Sequence, residues 1–413
     1  MIKKILSTII MIIFVLNVTC IADDKIEEKN NQETKKVIET VANVSEEPKI
    51  NSRAAVVIDR KSKTILYGKN ENVKKAMAST TKVMTAMVVI QNTNLDNIVE
   101  VSKKAAGTGG SRLGLKTGDK ISIRDLLYGL LLRSGNDAAV ALAEYVGGSV
   151  EEFAKLMNQN AEMLNLKDTH FVTPHGLDSG EHYTTAYELA ILTDYALNNQ
   201  VFAQIVNTKT YTISINGYSK TLNNTNELLG NLNGVYGVKT GFTNGAGRCL
   251  ITSAKRENMD IICVVLGADT KKDRTRDSVK LIEYIFNNYE KVNLKDKIQE
   301  EFKSWNEINS NRINIEKGTN NYLNLELKMD DEMTYPILKN TENDINIKIE
   351  ANLELKAPIE ENSCIGKLIV EYDSEKIKEI DIVNTNKIEK KRIHNYILEF
   401  IKGYDEYLEE IIR

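Results

Sequence analysis

Proline and cysteine are scarce: the chain holds four of each in 413 residues, with one tryptophan and 6% aromatic content. So few cysteines exclude a disulfide framework of the kind that staples small secreted domains. Cys249 and Cys263 fit either paired strands of one hairpin or two buried thiols, and Cys364 stands apart. A basic surplus is also missing. The 54 Lys and Arg are outnumbered by 58 Asp and Glu, for a formal net charge of −4, which argues against a nucleic-acid partner. No apolar run reaches the roughly 20 residues that cross a bilayer. No internal repeat stands out. The proline shortage beside abundant Lys, Ile and Asn reads as genome bias. What remains, 42% hydrophobic and 27% charged, is ordinary globular composition in a chain long enough for two or three domains.

The N-terminus carries an export pattern. Lys3 and Lys4 precede an apolar run from Ile5 to about Val18, then "TCIA" and two aspartates. This is the layout of a secretory signal peptide, with cleavage expected after Ala22. Removing residues 1–22 takes away two lysines and no acid, so the charge becomes −6. Cys20 follows Thr19, which fits a lipid-attachment box poorly. Residues 23–50 are polar and lack aromatics, the composition of a flexible stalk. Order is expected from about Ser52.

Beyond that point the patterning alternates. "AAVVIDRKSKTILYGKN" reads as a hairpin. "STTKVMTAMVVIQ" is apolar nearly all round and predicts a buried helix. More helix follows in "SIRDLLYGLLLRSGNDAAVALAEYV", broken around Ser134-Gly135-Asn136, then in "VEEFAKLMNQNAEML" and "TAYELAILTDYAL". Three strand-like runs, "GVYGVKTGF", "GRCLITSAKR" and "MDIICVVLGA", precede a closing helix, "DRTRDSVKLIEYIFNNY". Strands from both chain ends with helices between them predict one sheet flanked by helices, an α/β or α+β layer fold over residues 51–290. From 291 to 386 a period-two alternation, as in "DINIKIEANLEL", predicts a small separate β domain. Residues 387–413 read as a helix with an apolar stripe at Ile393, Ile397, Phe400, Tyr404, Tyr407 and Ile411.

Three short motifs suggest chemistry. Ser79 and Lys82 are three apart, on one face of a helix. A serine hydroxyl needs a base to take its proton, and a lysine whose charge is disfavoured by burial or a nearby cation can be that base. Ser134 and Asn136 interrupt an apolar stretch, where polar groups need partners or a task. The tripeptide Lys-Thr-Gly occurs twice. At Lys116 it sits in "LKTGDKIS", a surface turn. At Lys239 it lies on or beside a strand, with glycines that permit close backbone approach.

S-x-x-K, S-x-N and K-T-G in that order are the triplet of penicillin-binding proteins and class A β-lactamases. Only the Lys239 copy keeps the order. The flanks "AMASTTKVMTA", "LLYGLLLRSGNDAAVALAE", "THFVTPHGLDSGEHYTTAYELA" and "GVKTGFTNGAGRCL" resemble the serine-type D-alanyl-D-alanine carboxypeptidases, the low-molecular-mass penicillin-binding proteins. The resemblance covers roughly residues 50–290, and "LKAPIEENSCIGKLIVEYD" is similar, more weakly, to that family's C-terminal β domain. It implies a serine β-lactamase/transpeptidase-like domain followed by a small all-β domain. It also implies an exported hydrolase that removes the terminal D-alanine from peptidoglycan stem pentapeptides and is inhibited covalently by penicillin. Under it Ser79 is the nucleophile, Lys82 its base, Ser134 the proton relay to the leaving amine, and Asn136 the partner of substrate amide and Lys82. Lys239 supplies positive charge, Thr240 and Gly241 line the substrate strand, and the amides of Ser79 and Phe242 form the oxyanion hole. Arg274 meets the terminal carboxylate.

A class A β-lactamase also uses a glutamate in an E-x-x-L-N loop. Here "AEMLN" sets Glu162 one position too close, so penicillin is expected to stay attached. His170, His175 and His182 cluster in sequence but lack H-E-x-x-H or an equivalent helical spacing, so no metal or other cofactor is implied. The resemblance further implies that the C-terminal helix lies on the outer face of the cytoplasmic membrane. Its basic start, "EKKR", suits an anionic surface; its acidic end does not. Docking on the β domain or on another chain stays open.

Overall fold

The structure, a computed structural model, describes residues 32–41, 46–330 and 333–412. The expected signal peptide and Cys20 lie outside the described residues. The chain divides into two compact units, Met1–Asn288 and Tyr289–Arg413.

The first unit is built on β1 (Ala54–Asp59) and β2 (Ile65–Lys69), two short pairs, β3 (Ile98–Glu100) with β4 (Lys120–Ser122) and β5 (Thr210–Ile215) with β6 (Tyr218–Asn223), and then β7 (Val235–Thr243), β8 (Gly247–Arg256) and β9 (Met259–Ala268). The main sheet is antiparallel, in the order β2-β1-β9-β8-β7, so the two chain ends meet at its middle and β7 forms an edge. Every residue of β1 is buried. Its first five residues are apolar because both faces of the sheet are covered, and the buried Asp59 closes it by accepting from the Ser62 amide.

Helices supply the rest of this unit: α1 (Lys82–Asn92), α2 (Ile123–Leu132), α3 (Asn136–Gly147), α4 (Val150–Met163), α5 (Ala186–Leu197), α6 (Gln200–Val206) and α7 (Lys271–Asn288). Side-chain caps start several of them. Ser149 Oγ accepts from the Glu152 amide and Thr185 Oγ1 from the Glu188 amide, both at 3.0 Å, within Ser/Thr-x-x-Glu sequences that favour this end. α1 is buried from Lys82 to Val89, in the middle of the core. A lysine at its first position is thereby carried inside.

Part of the segment expected to be a flexible stalk is helical. Residues 32–41 form a helix, and Thr34, Val37 and Val41 are buried along one side. Their spacing of three and four is helical, but two valines among so many charges gave little signal.

The second unit begins with β10 (Tyr289–Asn293) and α8 (Lys295–Asn309). It continues through β11 (Asn314–Glu316), β12 (Leu325–Leu327), β13 (Thr334–Leu338), β14 (Ile345–Ala351), β15 (Glu354–Lys356), β16 (Cys364–Tyr372) and β17 (Glu375–Asn384). Its largest sheet has the order β12-β17-β16-β14. The unit is β-rich, and α8, absent from the sequence reading, packs Ile298, Phe302 and Trp305 into its cores. The final helix, α9 (Ile393–Ile412), leaves its described apolar side chains in the open, with Ile393 81% and Phe400 76% exposed. Among the described residues no helix is long and apolar enough to cross a membrane.

Candidate active site

Ser79 sits in a tight 3-10 turn, Ala78–Thr81, that leads directly into α1. Lys82 is therefore the first residue of the central helix, and its side chain is wholly buried. Its Nζ lies 2.8 Å from Ser79 Oγ, 2.8 Å from Asn136 Oδ1 and 2.8 Å from the His175 carbonyl oxygen. Burial, and after it the positive charge of Lys239, pushes the Lys82 ammonium well below its ordinary pKa, against an opposing pull from Asp137.

Asn136 opens α3 and is itself pinned. Its Nδ2 donates to the Gly109 carbonyl and its amide to the Ser111 carbonyl, each at 2.8 Å. Just before it, Ser134 takes a left-handed backbone, φ 60°, uncommon for a residue with a side chain. Asp137, fully buried, collects the amides of Leu113, Gly114 and Leu115 at 2.8–3.0 Å and so fixes the neighbouring loop.

The edge strand β7 brings the Lys239 copy of Lys-Thr-Gly alongside. A Cβ at Gly241 would come within 3.1 Å of the Ser79 amide and would push the strand and the Ser79 turn apart by a few tenths of an ångström, so glycine permits the close approach. Lys239 is buried, donates to the Thr240 carbonyl at 2.8 Å, and is held down to a pKa of about 7 by burial and then by Arg274. Thr240 Oγ1 shares a hydrogen bond of 2.8 Å with Thr225 Oγ1. Arg274, on α7, ion-pairs with Glu227 and keeps its Nε without a hydrogen-bond partner.

Ser79, Ser134, Thr240, Gly241, Phe242 and Arg274 line one open cleft of about 950 Å³. Lys82, Asn136 and Lys239 are buried and do not line it. The other copy, Lys116 to Gly118, is exposed, in a turn closed by the Asp119 amide donating to the Lys116 carbonyl at 3.1 Å. Glu162 is exposed on α4 and does not line the cleft.

The histidines do separate jobs. His175 serves through its main-chain oxygen, while burial, followed by the charge of Lys82, holds its ring to a pKa of about 4. His182 Nδ1 accepts from the Val172 amide at 2.9 Å, which leaves Nε2–H to donate to Thr81 Oγ1 at 2.7 Å. His170 Nδ1 is 2.5 Å from the Glu181 carbonyl oxygen. Among the described residues no three His, Cys, Asp or Glu side chains converge as metal ligands. Cys249 and Cys263 are both free and buried.

Sequence reading missed four parts of this site: the His175 carbonyl, Gly176, which packs directly against the Ala78 carbonyl oxygen of the Ser79 turn, Asp137 and Glu227. A main-chain oxygen leaves no trace in residue type. Asp137 had one signal, an acid in the first turn of a helix within an otherwise apolar run.

Residues 41–270 match the family described as D-alanyl-D-alanine carboxypeptidase, and residues 289–390 match the C-terminal domain of penicillin-binding protein 5. The D-alanyl-D-alanine carboxypeptidase DacF of Bacillus subtilis is 37% identical over 309 residues, covering 70% of this chain and 79% of that protein. DacA of Escherichia coli is 31% identical over 370 residues, covering 86% and 88%. The crystal structure of penicillin-binding protein 5 from Haemophilus influenzae superposes with a TM-score of 0.69 at 28% identity, covering 84% of this chain and 100% of that one. Matched to this extent across both units, the chain belongs to the D-alanyl-D-alanine carboxypeptidase family and is a serine-type carboxypeptidase.

Proposed function

We propose that the chain is exported by residues 1–22 and releases the terminal D-alanine of peptidoglycan stem pentapeptides through an acyl-enzyme on Ser79. The observation that carries this is the surroundings of Lys82 Nζ. A neutral amine has two N–H bonds and one lone pair. The carbonyls of Asn136 and His175 can only accept, so they take the two hydrogens. In that neutral form the lone pair is left for Ser79 Oγ, 2.8 Å away, a distance across which the hydroxyl can pass its proton to the amine.

Ser79 Oγ adds to the penultimate D-alanine carbonyl while Lys82 takes the hydroxyl proton. The oxyanion forms between the amides of Ser79 and Phe242, at the close approach that Gly241 permits. The C–N bond then breaks, and the departing amine receives a proton passed on by Ser134. Water enters, Lys82 removes one of its protons, and the ester opens to free the shortened peptide and Ser79. Asn136 and Lys239 hold Lys82 in place and disfavour its charge. Arg274 faces the terminal carboxylate. A β-lactam enters the same route, and with Glu162 outside the cleft its adduct is long-lived.

The test follows D-alanine from a peptide ending in D-Ala-D-Ala. Release that disappears in Ser79→Ala and is indifferent to a chelator is the expected result. No release from folded, penicillin-labelled protein would overturn turnover in favour of a binding role. We also propose that α9 lies on the outer face of the cytoplasmic membrane, on the strength of its exposed apolar side chains and its basic start.

A further inference from the structure

The cleft is far more basic than the molecule around it. Its lining includes Arg112, Arg133, Lys209, Lys220, Arg248 and Lys271 in addition to Arg274. None of these six makes an ion pair among the described residues. The carboxylate in the lining, Glu227, is already engaged by Arg274 and by Thr275 Oγ1 at 2.6 Å. The chain as a whole is acidic, with net charge −4, so this concentration is local. Arg248 lies over the Phe242 ring and Glu227 also feels Lys271, but one carboxylate among seven cations leaves an excess of positive charge in one concavity, a field that an anion would relieve.

Four of the six belong to one continuous wall. Lys220 Nζ donates to the Leu113 carbonyl at 2.6 Å, tying β6 to the loop that bears Arg112. The Thr225 amide donates to the Leu132 carbonyl at 3.1 Å, tying the segment after β6 to the turn that bears Arg133. The Asn224 amide donates to the Lys209 carbonyl at 2.8 Å. Arg112, Arg133, Lys209 and Lys220 thus lie on segments tied to one another, next to Ser134. Arg248 and Lys271 come instead from β8 and α7, on the side of Arg274.

We propose that this wall is a second anion subsite, which takes a carboxylate carried by the peptide upstream of its D-Ala-D-Ala end. It rests on the carboxypeptidase reading, because the same cleft holds Ser79 and Ser134 and whatever fills the wall is tethered to the substrate there. That shared cleft favours a peptide carboxylate over a separate anionic polymer.

The test uses the full chain and two peptides ending in D-Ala-D-Ala. They differ only in the residue before that end, which bears a side-chain carboxylate in one and its carboxamide in the other. The expected kcat/KM is about tenfold higher for the carboxylate peptide at low salt, equal to about 1.4 kcal/mol. The difference should lie in KM and shrink to about twofold as salt rises from about 0.05 to about 0.5 M. In the double variant Arg133→Gln, Lys209→Gln the ratio should approach one. Equal kcat/KM at low salt overturns the subsite and leaves the carboxypeptidase reading standing. If neither peptide releases D-alanine, that reading fails, and calorimetric affinities of the pair then decide: tighter binding of the carboxylate supports the subsite, equal binding overturns it. Inhibition by a soluble polyphosphate, with no discrimination between the peptides, overturns it in favour of polymer docking. Should the double variant fail to fold, the salt dependence of the unaltered chain decides.

Discussion

At the scale of single residues the site turns on two buried lysines with opposite duties. Lys82 must be neutral to accept a proton, and both burial and Lys239 drive it that way. Lys82→Arg keeps hydrogen-bond donors but is longer and bulkier and fixes the charge. It should lower kcat by roughly 10²–10⁴-fold, the usual worth of a general base, and abolish penicillin labelling while circular dichroism stays unchanged. Lys239 titrates at about 7, so in the free protein it is an ammonium below that pH and an amine above it. Binding of a carboxylate-ended peptide weakens as that charge is lost. A descending limb near pH 7 is expected in kcat/KM, and Lys239→Arg should remove the limb. The same lysine links pH to stability. Unfolded, it titrates near 10.4. Between about 7 and about 10.4 the unfolded chain holds the proton that the folded chain has lost, so stability rises with pH across that window. Melting temperatures measured from pH 7 to 9 should climb less steeply in Lys239→Met.

At the scale of elements, the active site is a set of turns held against one another. Gly176 shows how tightly. It has φ +83°, and a Cβ there would stand 1.9 Å from the Ala78 carbonyl oxygen, in the turn that presents Ser79. Gly176→Ala must therefore move either that turn or the His175 carbonyl that holds Lys82. A loss of about 2–4 kcal/mol in stability is expected, with kcat lowered by 10²-fold or so. Gly217 has the same φ, +83°, at the tip of the β5–β6 hairpin, with nothing near a would-be Cβ. Gly217→Ala should cost only the local strain of about 1–2 kcal/mol and leave kcat alone. Denaturant melts and D-alanine release on the two variants separate these cases. The contrast also explains what was legible in the sequence. Ser79-x-x-Lys82, Ser134-x-Asn136 and the Lys239 tripeptide are local patterns, so they could be read. Gly176 owes its importance to the Ala78 carbonyl, nearly a hundred positions away, and Glu227 pairs with an arginine 47 positions on. No local pattern encodes either. The β5–β6 hairpin is different: Asn216-Gly217 between alternating strands is a plain turn signal that the sequence reading passed over.

At the scale of the whole molecule, two units with their own cores divide the labour. The first holds the cleft; the second ends in a helix whose apolar side chains have no cover among the described residues. A sheet built from strands at both chain ends and a change to period two near residue 290 were readable because burial on both faces, or on one, writes itself into residue pattern; the order of the strands was not. α8 was not, because Ile298, Phe302 and Trp305 are a sparse apolar stripe in a charged segment. The tail helix poses a physical choice between charge and area. Lys390, Lys391 and Arg392 precede it, but Asp405, Glu406, Glu409 and Glu410 follow, so its net electrostatic pull on an anionic surface is small. Attachment would then come from burying Ile393, Ile397, Phe400 and Ile401, each worth about 1.5–3 kcal/mol if fully covered. An attachment driven by area resists salt, whereas one driven by charge does not. The chain should float with anionic phospholipid vesicles and stay bound at about 0.5 M salt. Ile397→Asp with Phe400→Asp should release it without changing D-alanine release from a soluble peptide. Salt-sensitive flotation that survives the double substitution would place the contact elsewhere, on a charged surface of the molecule and not on this helix.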